Sequence, residues 1–111
     1  MMTEVYPLKG KKIYVAGHHG MVGAALVRRL LREGCEIICA DRTRVDLIRQ
    51  SEVERFLIAE RPDAIVMAAA KVGGILANDN YPAEFLYNNL MIEANITAAA
   101  HMAGVNRMLF L

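Results

Sequence analysis

The stretch Gly17-His18-His19-Gly20-Met21-Val22-Gly23 constrains this chain more than any other, because of what stands on either side of it. Before it, Lys12 to Ala16 (Lys-Ile-Tyr-Val-Ala) is rich in β-formers and predicts a short buried strand. After it, apolar Val22, Ala25, Leu26 and Leu30 recur at helical spacing, and Gly34 ends a helix predicted over Met21 to Glu33. A G-x-x-G-x-x-G sequence at a strand-to-helix junction has a mechanical reading. The first glycine permits the tight turn, the second lets a pyrophosphate approach the backbone, and the third lets helix and strand pack closely. The free N–H groups and partial positive charge of the helix start then face the phosphates. No Gly-Lys-Ser/Thr follows, so the turn is not a P-loop.

The rest of the chain repeats the alternation. Glu36 to Ala40 predicts a second strand, closed by the polar cluster Asp41-Arg42-Thr43-Arg44. Ser51-Glu52-Val53-Glu54 has the form of a capping box and predicts a helix from there to about Glu60, where Pro62-Asp63 breaks the chain. A third strand is expected over Ala64 to Ala68, a loop with Gly73-Gly74 next, and a long helix from Ala83 to Ala103 with Pro82 near its first position. Arg107 to Leu111 opens a fourth strand. Continuous rather than alternating apolar strands, separated by helices, predict an α/β fold: a Rossmann-like parallel sheet covered on both faces, order 3-2-1-4, ending after the fourth strand. At 111 residues the chain accommodates one domain, an NAD(P)-binding domain over 1–111, without a substrate domain.

Charge and composition remove several classes of function. A net charge of +1 with no dense Lys/Arg block supplies no footprint for nucleic acid. The most apolar run, Ala64 to Ala70, stops at Lys71, far short of the roughly 20 residues needed to cross a bilayer. The first twelve residues contain no apolar stretch of signal-peptide length, so a soluble cytoplasmic protein without membrane partners is expected. Cys35 and Cys39 would stand roughly 13 Å apart on an extended segment, too far for a disulfide. His18, His19 and His101 show no metal-ligand spacing with them, and no metal is expected.

The end of the second strand is where an adenosine ribose would lie. Asp41 could accept from a ribose 2′-hydroxyl, which favours NAD; Arg42 and Arg44 could bind a 2′-phosphate, which favours NADP; or all three are solvated turn charges. Asp46, before Leu47, could accept from an adenine amino group or bond its own backbone. Ala68, Ala69 and Ala70 end the third strand with side chains small enough to leave room for a cofactor, and Val72 lies in the Lys71-Val72-Gly73-Gly74 loop over the same edge. On the long helix, Phe85, Asn89, Ile92, Ile96, Ala99 and Ala103 share one face, with Asn89 as the odd polar member. Tyr87, Met91, Ala94, Ala98 and Met102 form a second apolar stripe that one sheet cannot cover, and which suits either a helix-to-helix dimer interface or cover by further carboxyl-terminal segments.

Over Lys12 to Leu111 these residues resemble the extended short-chain dehydrogenases/reductases, the NAD-dependent epimerase/dehydratase family. The resemblance rests on Ala16 through Gly23, on Arg42-Thr43-Arg44, on Ala68 through Ile75, and on Asn78, Tyr81-Pro82-Ala83 and Met91-Ile92-Glu93. It implies an NADP-dependent enzyme, NAD being the lesser choice, that epimerises a GDP-4-keto-6-deoxy sugar at C3 and C5 and reduces its C4 ketone. It also implies a homodimer built on long helices, and a cofactor site over Gly17 to Gly23, Asp41, Arg42, Arg44, Asp46, Leu47, Ala68 to Ala70 and Val72. Asn89 corresponds to an active-site asparagine that helps order a proton-relay water. His19 departs from the family pattern, which often has an arginine there, and Asp41 stands just before the Arg-Thr-Arg turn. The family's serine turn and Tyr-x-x-x-Lys helix would fall beyond Leu111, so the resemblance implies a cofactor-binding portion that is inactive alone. Two other readings are an NAD-dependent 4,6-dehydratase or 4-epimerase, and a non-catalytic dinucleotide-sensing module.

Overall fold

In the computed structural model, which describes residues 6–68 and 82–111, four strands form one parallel sheet. The strands are β1 (Lys12–Ala16), β2 (Glu36–Ile38), β3 (Ala64–Met67) and β4 (Met108–Phe110). The helices are α1 (Met21–Leu30), extended by a 3-10 turn over Leu31–Glu33, α2 (Gln50–Glu60) and α3 (Pro82–Met102). Ala69, Ala70 and the Lys71-Val72-Gly73-Gly74 loop lie outside the described residues, as does Tyr81.

The strand order is β2-β1-β3-β4, not 3-2-1-4. β3 pairs with β1, Ile13 opposite Ala64 and Ala16 opposite Met67, on the edge of β1 away from β2. Helix placement explains the correction. Ile13, Val15 and Leu30 form a core on the α1 face, with Val27, Ile37 and Val66 packed on it. Tyr14, Ile38, Ile65 and Met67 point the other way, into a core with Val53, Phe56 and Leu57 of α2 and Ile92, Ile96 and Ala99 of α3. Since α1 and α2 cover opposite faces, two right-handed crossovers must travel in opposite directions, and the second carries the chain back past β1. The topological switch therefore falls between β1 and β3, and their carboxyl ends open the crevice where α/β sheets bind ligands.

Within the elements, the glycine turn decides how α1 sits. A Cβ on Gly23 would lie 1.9 Å from the Gly17 carbonyl oxygen, so the face turned to the sheet runs through Gly23, Val27 and Leu30. Val22 and Ala25, expected on that face, are consequently exposed. The capping box at Ser51 does not form, because α2 starts at Gln50 with Arg49 at its N-cap, which puts Ser51 inside the helix. Glu54 instead accepts from Gln50 Nε2 at 2.9 Å, and Glu52 accepts from the Asp46 N–H at 3.1 Å. Pro82 does occupy the first position of α3, and that helix is hydrophobic nearly all round: Ile92, Ile96 and Ala99 are buried, while Leu86, Tyr87, Leu90 and Met102 are exposed. At the heart of the larger core, Tyr14 and Phe56 meet edge to face with ring centroids 5.0 Å apart, worth about 1 kcal/mol beyond the area they bury.

Candidate dinucleotide site

The carboxyl end of β1 passes directly into the turn. Gly17 has φ +90°, a conformation that a side chain resists, and its carbonyl accepts from Gly20 N at 3.1 Å. Gly20 caps α1 with extended backbone and no side-chain hydrogen bond, and the first turn of α1 contains no acidic residue. The N–H groups of Met21, Val22 and Gly23 thus point out of the helix start with no intrahelical partner and no carboxylate of their own turn to offset the positive end of its dipole. A Cβ on Gly20 would meet only the Gly17 oxygen, at 3.5 Å, which is ordinary contact. Among the described residues, then, packing does not demand Gly20 as it demands Gly23, and the bare backbone there leaves room for a diphosphate to approach. Met21 and Val22 are exposed beside it. Ala68 sits next to this turn, its N–H donating to the Ala16 carbonyl at 2.9 Å, and so lies at the switch between β1 and β3.

A cleft of about 200 Å³ opens beside the turn, lined by Gly17, His18 and His19 on one side and by Ala40, Asp41, Arg42 and Val45 to Ile48 on the other, with Ile92 of α3 closing it. The wall after β2 is held by its own hydrogen bonds. The Asp41 carboxylate accepts from the Thr43 N–H at 3.0 Å, from the Thr43 hydroxyl and from the Arg44 N–H at 3.3 Å, and these bonds hold its pKa below the usual carboxylate range. Asp46 Oδ1 accepts from the Ile48 N–H at 3.2 Å, the turn role weighed for it from sequence, while the residue also lines the cleft. Asn95, buried on α3, donates from Nδ2 to the Leu47 carbonyl at 2.9 Å and ties the wall to the helix behind it.

The two arginines of the Arg-Thr-Arg turn part company. Arg42 reaches the cleft with 69% of its side chain exposed, its Nε 4.0 Å from Asp46 Oδ2. Arg44 does not line it: its guanidinium pairs with Glu60 at the end of α2 and lies 5.1 Å from the Phe56 ring centroid. Lys12 completes that cluster, with Nζ 3.0 Å from Glu60 Oε2, and it is chiefly the Lys12 hydrogen bond that holds the Glu60 pKa low. On the turn, the His18 and His19 rings stand 3.9 Å apart, and burial, then the neighbouring imidazole, lowers the His18 pKa against the pull of Asp41.

Among the expected residues, Gly17, His18, His19, Asp41, Arg42, Asp46 and Leu47 share this cleft, while Gly20 to Gly23 follow in the turn and the start of α1 and are not among its lining. Asn89 lies half-buried on α3, one residue from the buried Asn88. The residues that sequence reasoning did not find are Ala40, Val45, Ile48 and Ile92 of the lining and the Asn95 strut. Asn95 alone left a trace, seven positions after Asn88 on one helix face. No group of three potential metal ligands occurs among the described residues, and none of their helices is long and apolar enough to cross a membrane.

Residues 13–111 match the model of the NAD dependent epimerase/dehydratase family. The GDP-L-fucose synthase of Sinorhizobium fredii is 58% identical over 107 residues, covering 96% of this chain and 34% of that protein. The GDP-L-fucose synthase of Escherichia coli is 47% identical, covering 91% of this chain and 32% of that one. Among solved structures, a GDP-mannoheptose C4 reductase from Campylobacter jejuni with NADP bound superposes with a TM-score of 0.85 at 34% identity, covering 91% of this chain and 30% of that one. The chain thus spans about a third of the length of the curated relatives it matches. Match and geometry agree on a strand–glycine turn–helix frame, with a cleft between the segments that follow β1 and β2, and the chain belongs to the NAD-dependent epimerase/dehydratase family.

Proposed function

We propose that this chain is the cofactor-binding portion, a single domain over 1–111, of an NADP-dependent enzyme that epimerises GDP-4-keto-6-deoxy-D-mannose at C3 and C5 and reduces its C4 ketone to give GDP-L-fucose. One observation carries the cofactor half of this reading: α1 begins at a bare, uncapped Gly20 with no acidic residue in its first turn, and packing among the described residues does not require that glycine. The residues present fit a dinucleotide. Met21, Val22 and Gly23 would hold the diphosphate through their N–H groups, and the wall from Asp41 to Ile48 would hold the adenosine. When bound, the nicotinamide supplies the hydride. Arg42 in the cleft supports NADP, and the three donors that Asp41 accepts within its own turn all fall on Oδ1 and hold that carboxylate in the turn.

The GDP-sugar substrate rests on what the relatives are named for, since both are GDP-L-fucose synthases. Asn89, half-buried on the amino-terminal half of α3, is the residue of this chain proposed to approach the active site. The exposed stripe of Tyr87, Ala94, Ala98 and Met102 supports a homodimer through α3. A cytoplasmic location belongs to the same reading and is checked by cell fractionation. Calorimetric titration of the protein with NADPH and NADH tests the cofactor: saturable binding with NADPH the tighter ligand is expected, and no saturable binding of either would overturn it. Conversion of GDP-4-keto-6-deoxy-D-mannose by the enzyme, followed by product chromatography, tests the substrate.

A further inference from the structure

The peptide group between Leu47 and Ile48 is held from both sides. Its carbonyl accepts from Asn95 Nδ2 of α3 at 2.9 Å, and its N–H donates to Asp46 Oδ1 at 3.2 Å. Asp46, Leu47 and Ile48 all line the cleft, so a donor on α3 fixes the backbone of the wall proposed to hold the adenosine. α3 meets the cleft a second time through Ile92, less than one turn before Asn95. Asn89 stands half-buried on the same continuous helix, earlier than Asn95 by roughly 9 Å along the axis. Building on the dinucleotide reading above and on its placement of Asn89, we propose that Asn95 is a positioning residue: it registers α3 to the adenosine wall, so that the adenosine end of the ligand sets where Asn89 stands.

Apolar contact alone does not set that register. From Ile92 onward the other buried residues of α3 are Ile92, Ile96, Ala99 and Ala100, and their burial is non-directional, so small slides and rotations of the helix cost little. A buried amide is satisfied in one geometry, which is why a single asparagine can specify how a helix sits against its neighbour. Asn95 is buried, so a slip that broke its bond would leave both the amide and the Leu47 carbonyl short of a partner. At the far end, Arg61 Nη1 donates to the Ala103 carbonyl at 3.0 Å and ties the helix to the end of α2, but neither residue lines the cleft. Arg61 therefore anchors α3, whereas Asn95 aligns it with the wall. An adenosine packed on Ile48 and Ile92 removes the freedom left to the wall, and the Asn95 bond passes that constraint to the helix carrying Asn89.

The test titrates adenosine 2′,5′-bisphosphate, which has no nicotinamide, into isotope-labelled protein and follows the Asn89 side-chain amide together with the Leu47 and Ile48 N–H groups. In the parent protein the Asn89 resonance should move saturably, with the same dissociation constant as the wall. In Asn95→Ala the wall should still respond, with affinity about tenfold weaker, while the Asn89 shift at saturation falls by more than half. Asn95→Leu, close to asparagine in volume but without a donor, should behave alike and separates the lost bond from a cavity. Arg61→Gln loosens α3 at its other end and should keep the full Asn89 shift, which a general softening of the helix would diminish. An Asn89 resonance that stays put in the parent while the wall responds, an undiminished shift in the Asn95 variants, or an equal loss in Arg61→Gln would overturn the proposal and leave dinucleotide binding intact. No saturable shift of any N–H group would overturn the dinucleotide reading and this proposal with it.

Discussion

Replacing Gly23 by alanine would set a methyl carbon 1.9 Å from the Gly17 carbonyl oxygen and 2.7 Å from its carbonyl carbon, both backbone atoms of a turn pinned by the strand before it. Neither neighbour is a flexible side chain, so helix and turn must separate by about 1 Å, an overpacking strain of about 1–3 kcal/mol or more. For a domain of this size, that lowers the melting temperature by roughly 5–20 °C. Gly20→Ala is the informative partner. Its backbone (φ −73°, ψ 167°) suits alanine and its new methyl would meet one oxygen at 3.5 Å, so the cost is confined to a poorer helix cap, about 0.5–1 kcal/mol. The same methyl stands where the diphosphate would approach, and should weaken NADPH binding tenfold or more, about 1.4 kcal/mol. Urea unfolding and calorimetric titration of both variants separate the two glycines: Gly23→Ala should fail in stability first, Gly20→Ala in binding. Equal destabilisation by both, or unimpaired NADPH binding by Gly20→Ala, would refute the reasoning.

Asn95→Ala removes the donor to the Leu47 carbonyl and should cost about 1–2 kcal/mol in urea unfolding while loosening the cleft wall, so that NADPH binding weakens as well. Glu60 has a depressed pKa in the fold, so its contribution to stability is complete above the ordinary glutamate range and is lost as the pH falls through the depressed value; Glu60→Gln should flatten that acid limb and change the urea midpoint little on its far side. Ala98→Glu would put a charge in the middle of the exposed α3 stripe, and should convert the proposed dimer to monomer in sedimentation velocity; a parent protein that is itself monomeric at micromolar concentration would contradict that interface.

What the sequence made legible was what depends on short spacing. The three glycines, the strand before them and the helix after them lie within 19 residues, and the turn's place at the carboxyl end of β1 can be read from their order. Strand order could not be read the same way. It depends on which face α2 covers, and Val53, Phe56 and Leu57 look equally apolar whether they pack beside α1 or opposite it. The helix phase of α1 was misjudged because Gly23, with no side chain to weigh as apolar, is the residue pressed closest to the turn, and it displaces Val22 from the buried face. Neither could charge alone separate Arg42 from Arg44. Only the position of Glu60, 16 residues on and one helix away, draws the second arginine off and leaves the first at the cleft. Likewise Ile92 and Asn95 join the site through a contact spanning more than 40 residues, for which single-segment periodicity has no signal.

Amide chemical-shift mapping during titration with NADPH addresses the central claim most directly, because it reports which N–H groups meet the ligand. The largest saturable shifts should fall on Gly20, Met21, Val22 and Gly23 at the start of α1, with a second set over Asp41 to Ile48. Saturable binding that leaves the α1 amides unmoved while perturbing another surface would contradict it.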